Sequence, residues 1–439
     1  MSDIAGIPYI EAKFDKNGNP DGPAPVLPAD TNEVFVFSHG WNNDNDEART
    51  LYRTFFTNYA AVSGPVPPGR QRCIVGILWP SKALDDVVKA AVADAGTGGS
   101  GPAASTGGGS QAGADAAIKA QLDEVQKLLG SGSETLIADL KKLVPDLQDS
   151  TTKQHDFVDK LRAQLTSQHT DNDEEPSSHP FLVASGPNLL KTLSQPAPVP
   201  AAGAPKPKAK GAGGGAAGLG DIFGGIKGGV IKFLNLFSYF EMKERAGTVG
   251  STGVATLLDK LGASVERIHL IGHSFGGRVV TAAAKASTTK NLKTMSLLQA
   301  AFSHNGFRPG IGFFRSVVED SRIKGVVIAT HTFNDSAVGI AYPAASLLGG
   351  ETAADAKTAG IAAAVGGPNS PFGGLGSNGA LHLATDLAFF IDMVAVGKAY
   401  DFKVGKIYNL EAHDLITEHG DVANANVAYA VASAHKAAG

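Results

Sequence analysis

The chain has 439 residues, of which 43% are hydrophobic, and a formal net charge of −4 at pH 7. The hydrophobic share is enough for a sizeable core, and the mild acidic balance speaks against general nucleic-acid binding, which shows as a basic excess or stripe. A single cysteine, Cys73, leaves no internal disulfide.

The N-terminus "MSDIAGIPYIEAKFD" has no basic region followed by an apolar stretch. No secretory signal is expected there, which with the lone cysteine fits a cytoplasmic protein and leaves signal-independent export open. "PYIEAKFD" alternates and runs into the turn-rich "KNGNPDG", predicting a strand and a connection. "EVFVFSHGW" predicts a buried strand ending near Ser38. In "DEARTLYRTFFTNYAAV", Leu51, Phe55, Tyr59 and Val62 recur at helical spacing. "RCIVGILWPS" predicts the next buried strand, and within it Cys73 reads as a structural thiol.

The character then changes. From about Ala95 to Ala114, and again from about Gln195 to Gly220, the chain is rich in Gly, Ala and Pro and reads as two flexible linkers. Between them lie three helical stripes: Ile118, Leu122, Val125, Leu129; then Leu136, Leu140, Leu143, Leu147; then Phe157, Leu161, Leu165. "DNDEEPSSHP" reads as a solvated loop. "GGVIKFLNLFSYFEMKERAG" carries a further stripe, Val230, Phe233, Phe237 and Phe240. The G-x-x-x-G spacings of "GDIFGGIKGG" raise a membrane reading. Lys227 and Lys232 interrupt it, and no run of about 18 uncharged apolar residues exists. A lid or core helix is the better reading, with weak contact to a membrane surface as a secondary one.

After Gly247 strands and helices alternate. "STGVATLLDKL" predicts a helix, "RIHLIGH" a strand, "GRVVTAAAKA" a helix and "LKTMSLLQAAF" a strand. "GFFRSVVEDS" follows as a short helix, "KGVVIATHTF" as a strand and "GALHLATDLAFFIDM" as a helix. "GKIYNLEA" is the last strand, and "DVANANVAYAVASAHKA" a closing helix with Asp421 as its N-cap. The alternation implies an α/β fold, a mostly parallel sheet with helices on both faces. Residues 1–83 and 246–439 would form it, and 84–245 a mainly helical cap inserted through the two linkers.

The chemistry concentrates in "IHLIGHSFGGRVV". Gly272-His273-Ser274-Phe275-Gly276 is G-x-S-x-G, leaving a strand and opening a helix, which is the setting a nucleophile elbow requires. Neighbours two residues from such a serine must be small, which gives Gly272 and Gly276 a steric role, while Gly277 allows close helix–strand packing. A serine hydroxyl further needs a base, an acid to orient the base, and donors for an oxyanion. "FSHGWNND" places His39-Gly40-Trp41 just past an early strand. Asp335, in "GVVIATHTFNDSAV", follows a late strand, though it would equally cap a helix starting at Ser336. Asp320 and Asp392 fall in helical patterns. His413 in "EAHDL" and His419 in "TEHGDV" follow the last strand, whereas His435, inside the closing helix, reads as a surface residue.

These segments resemble the α/β-hydrolase superfamily, lipase- and esterase-like serine hydrolases, over about Glu33–Lys82 and Gly247–Ala434. The resemblance implies that Trp41, in the HG-x position, and Phe275, after the nucleophile, supply the oxyanion-hole N–H groups. It implies Asp335 as the acid and a histidine between last strand and last helix as the base, in the order Ser…Asp…His. Both His413 and His419 qualify, and His419 fits better because Gly420 gives the loop freedom and Asp421 starts the helix. The implied activity is cleavage of carboxylic esters or lipids through an acyl-enzyme, with no cofactor and no metal. Amide or peptide cleavage by the same triad is the runner-up, and a non-catalytic binding protein on the same fold is the alternative of another class. The expected partner is a small-molecule or lipid ester and not a nucleic acid; nothing in the sequence sets the oligomeric state. "NNDNDE" clusters oxygen ligands but lacks the spacing of a calcium loop. No Cys/His group has zinc spacing, and no phosphate-loop or dinucleotide fingerprint occurs.

Overall fold

The computed structural model describes residues 2–41, 43–81, 111–165, 180–194, 225–335, 368 and 373–439. Nine strands form one sheet in the order β1-β2-β4-β3-β5-β6-β7-β9-β8. They are β1 (Ser2–Ile4), β2 (Ile7–Lys13), β3 (Glu33–Ser38), β4 (Arg72–Leu78), β5 (Arg267–His273), β6 (Leu292–Leu298), β7 (Val327–His331), β8 (Ala388–Asp392) and β9 (Ile407–Glu411). β1 runs antiparallel to β2, and the other pairings are parallel. β3 and β5 lie side by side at the centre, and every residue of both is buried, which is why β3 carries the apolar run Val34–Phe37 and β5 the run Leu270–Gly272.

The helices before the second half of the sheet are α1 (Asn45–Val62), α2 (Gln111–Leu129), α3 (Glu134–Leu143), α4 (Thr151–Arg162), α5 (Gly186–Leu193) and α6 (Gly225–Thr248). A π-helical turn, Val249–Val254, leads into α7 (Ala255–Gly262), followed by α8 (Phe275–Ala286), α9 (Arg315–Glu319) and α10 (Ala425–Ala437). One face of the sheet is covered by α1 and α10, whose Tyr52, Phe55, Phe56 and Val431 pack on Phe35, Phe37 and Ile328. The other face is covered by α6, α7 and α8. The result is an α/β arrangement with helices on both faces.

α1 opens with a capping box: the Asp44 side chain accepts from the Asp46 and Glu47 N–H groups while Glu47 accepts from the Asp44 N–H. Its buried face is Ala48, Tyr52, Phe55, Phe56 and Tyr59, with Leu51 and Val62 at the rim, so the stripe is rotated slightly from the predicted one. In the insertion, α2 begins at Gln111, inside the first expected linker. The remainder of that linker, the second linker up to Gly220, and "DNDEEPSSH" lie outside the described residues. The three predicted stripes are buried at Ile118, Leu122, Val125, Leu140, Leu147, Phe157 and Leu161. α2 and α5 pack on α6, which packs on α8. Their apolar side chains belong to the same continuous cluster as Val34, Cys73 and Ile268 of the sheet. Gly225–Gly262 is one unbroken helical run, so the division drawn at residues 245/246 falls inside a helix. Val230, Phe233, Phe237 and Phe240 are all buried in this core, which leaves none of that stripe for a membrane surface. No helix among the described residues is long and apolar enough to cross a membrane.

Three local expectations are corrected. "GALHLATDLAFFIDM" is not helical: its end is β8, paired in parallel with β9. The apolar run there is short, it follows a turn, and β9 offers an open edge on which the Phe389 ring stacks with Tyr408 at 5.5 Å. The N-cap of α10 is Asn424 and not Asp421. Asn424 accepts from the Asn426 and Val427 N–H groups at 3.0 and 3.1 Å. Asp421 is already engaged by the N–H and hydroxyl of Thr417, both at 3.1 Å, which folds the preceding turn. His435 is not a surface residue. It follows Val431 by one helical turn, so it faces the sheet, stacks on Phe35 at 5.3 Å and meets the Tyr59 hydroxyl at 3.0 Å.

Candidate active site

Ser274 stands where β5 ends and α8 begins. Its backbone has φ 56° and ψ −126°, a region costing a non-glycine residue about 1–3 kcal/mol. Three hydrogen bonds hold it there. The Ser274 N–H donates to the Leu298 carbonyl at 3.1 Å, and its own carbonyl accepts from Gly277 and Ala301 at 2.9 and 3.0 Å. The turn is as tight as the two elbow glycines allow. A Cβ on Gly272 would lie 2.4 Å from the Gly276 carbonyl oxygen, and one on Gly276 only 2.1 Å from that of Ser38.

β3 ends beside it and delivers His39-Gly40-Trp41. A Cβ on Gly40 would sit 2.5 Å from the Ser274 Cβ, so the two backbones touch there. His39 itself is fully buried and structural. The Trp79 N–H donates to its Nε2 at 3.4 Å, so Nδ1 carries the proton and donates to the Gly40 carbonyl at 2.9 Å. Burial lowers its pKa to about 4, so the ring is neutral. Among the described residues, neither the Trp41 nor the Phe275 backbone N–H donates to a protein acceptor. Two donors beside a strained serine therefore remain open to an incoming oxygen. The rings of Trp41 and Phe275 lie 6.0 Å apart, and Tyr239 of α6 packs against both, at 6.3 and 5.4 Å. The insertion thus contributes an aromatic wall next to Ser274.

β7 delivers Asp335, which is completely buried. Gln299, just past β6, donates to Asp335 Oδ2 at 3.4 Å and is itself held by Thr330. The loop between β9 and α10 delivers His419, whose Nδ1 lies 2.7 Å from Asp335 Oδ2, with 25% of the His419 side chain exposed. Burial disfavours the imidazolium, but the charge and hydrogen bond of Asp335 outweigh it, and the net effect raises the His419 pKa above its usual value. Because Nδ1–H is given to Asp335, Nε2 is the free base. Among the described residues no hydrogen bond joins Ser274 Oγ to His419. Such bonds commonly close only around substrate.

His413 is engaged elsewhere: its ring nitrogens meet Glu411 Oε1 at 3.1 Å and Thr332 Oγ1 at 3.2 Å, and its ring lies 3.8 Å from that of Phe333. Ser336, the helix start that Asp335 was alternatively expected to cap, lies outside the described residues. Asp320 ends α9, and Asp392 ends β8 at an exposed position. The structure adds residues that the sequence reading left without a role. Asn334 donates to the His413 and Ile416 carbonyls at 2.7 and 2.9 Å, and His273 Nε2 lies 3.0 Å from the His419 carbonyl. Their only sequence cue was adjacency to Asp335 and Ser274. Among the described residues no group of three His, Cys, Asp or Glu could hold a metal ion. A cavity of about 410 Å³ lies elsewhere, lined by Phe14, Pro20, Leu27, Thr252 and Leu257 among others, and Ser274, Asp335 and His419 are not part of it. Comparison with models of known families, with curated proteins and with solved structures finds no match.

Proposed function

We propose that the protein is a serine hydrolase of the α/β-hydrolase type, cleaving carboxylic esters or lipids through an acyl-enzyme. The observation that carries this reading is the 2.7 Å bond between His419 Nδ1 and Asp335 at the strand ends that also carry Ser274 at positive φ. The chain order Ser…Asp…His and the strand–elbow–helix setting support it. Ser274 Oγ attacks the acyl carbon and His419 Nε2 takes its proton. Asp335 holds the ring in that tautomer and stabilises its charged form. The oxyanion accepts from the Trp41 and Phe275 backbone N–H groups, which have no partner among the described residues to give up. Collapse expels the alcohol, which leaves with the proton from His419. Water then enters by the same route, giving a proton to His419 and releasing the acid and Ser274.

A fluorophosphonate probe tests this directly. Stoichiometric labelling of Ser274 in the wild-type protein, absent in Ser274→Ala, is the expected result. Failure of the folded wild-type chain to label overturns the reading. A panel of esters of increasing acyl length alongside matched amides then identifies the bond cleaved, and faster turnover of the amides would favour an amidase.

A further inference from the structure

The loop from Ala412 to Asn424 carries His419 on a mostly half-buried path with no helix or strand of its own, so its placement needs anchors. Two are built from the residues immediately upstream of the acid and the nucleophile. Asn334, before Asp335, grips the start of the loop through the His413 and Ile416 carbonyls. His273, before Ser274, meets its far end. The His419 carbonyl can only accept, so His273 Nε2 carries the proton and donates at 3.0 Å. The two imidazole rings lie against each other with centroids 4.8 Å apart, tilted by 41°.

We infer that His273 is a positioning residue: through its Nε2–H bond to the His419 carbonyl and its ring against the His419 ring, it fixes the catalytic histidine over Ser274. This rests on the hydrolase reading above. The other nitrogen argues for it. Among the described residues His273 Nδ1 is buried with no hydrogen-bond partner, and the residue is 6% exposed. An apolar ring would fill the slot without burying a lone acceptor, so packing does not account for an imidazole here. Among the described residues the one polar bond the ring makes is to His419. Burial lowers the His273 pKa to about 3, so it stays neutral and does not compete with His419 for the proton. The loop thereby inherits the rigidity of the elbow: whatever holds Ser274 also holds the base.

The test compares His273→Phe, which keeps a ring and loses the donor, with His273→Gln, which restores an N–H near the Nε2 position. Hydrogen exchange of the amides from 412 to 424 and ester kinetics are measured on both and on the wild type. In His273→Phe the loop amides should exchange faster, and kcat should fall roughly 10- to 100-fold, the scale of a small misplacement of a reacting group, with KM within about twofold. His273→Gln should recover most of both. Unchanged loop exchange in a folded His273→Phe overturns the positioning role, whether or not the protein is a hydrolase. Wild-type labelling at Ser274 with unchanged kcat in His273→Phe overturns it while leaving the hydrolase reading intact. If His273→Phe fails to fold, equal impairment of folded His273→Gln and a folded His273→Leu overturns it as well, since the donor would then make no difference.

Discussion

Asp335 sets the charge on which the site turns. It is buried, bonded to His419 and supported by Gln299, so its replacement changes the tautomer and the electrostatics of the base while leaving the shape nearly intact. Asp335→Asn should lower kcat by about 10³- to 10⁴-fold with little change in KM, as measured on any ester the wild type turns over. The pH profile follows from the same contact. In the proposed hydrolase His419 works as a base only when neutral, and Asp335 raises its pKa, so the acidic limb of kcat/KM should lie above the usual histidine value of about 6.5. Residual activity of Asp335→Asn should show that limb displaced to lower pH; an unmoved limb would mean that another group titrates. That Ser274, Asp335 and His419 each follow a strand was legible in the sequence, because the strands that carry them could be read in chain order. His273, Asn334 and Gln299 were not. His273 and the carbonyl it bonds are 146 positions apart, and nothing local to either residue reports that contact.

At the scale of elements, the elbow is a junction of three backbones. Gly276→Ala would press a methyl against the Ser38 and His39 carbonyls, at 2.1 and 2.5 Å in the unrelaxed geometry, with only backbone to give way. It should cost at least about 2 kcal/mol in urea unfolding. Gly420→Ala is the control beside His419: nothing lies within 4 Å of its Cβ, and its stability should change by less than about 1 kcal/mol. Buried strands were readable because both of their faces are covered, which gives β3 and β4 long apolar runs and β5 a shorter one. β8 was not readable. None of its five residues is buried at the sheet edge, and its apolar spacing mimics a helix until β9 supplies the pairing. The start of α10 was missed for a different reason. Asp421, Asn424 and Asn426 all have capping side chains, and only the Thr417 contact to Asp421 decides among them.

At the scale of the molecule, acid should unfold the protein early. His39, His273, His331 and His435 are buried, and burial lowers the pKa of each, to about 4, 3 and 4 for the first three. Below about pH 6.5 the unfolded chain takes up protons that these folded histidines refuse, so stability falls with pH, on the order of 1 kcal/mol per histidine and pH unit. His419 acts in the opposite sense, since its raised pKa contributes stability that is present at low pH and lost as pH rises through the folded value, but it is one group against these four and the likewise lowered His269 and His413. Guanidinium midpoints should drop steeply from pH 7 to 5; a flat profile would mean that these rings are protonated in the fold. The sheet also orders the events of synthesis. β3 pairs with β4, registered Glu33 to Arg72, but its other neighbour is β5, registered Glu33 to Arg267, beyond the whole insertion. At ribosomal rates the stretch from Leu78 to Arg267 takes on the order of 10–40 s to emerge, during which β3 has one edge unpaired. Doubling such a loop costs only about 0.6 kcal/mol in closure, yet non-local pairing of this kind slows folding by orders of magnitude. The insertion therefore weighs on the time the chain needs to fold far more than on the stability it reaches.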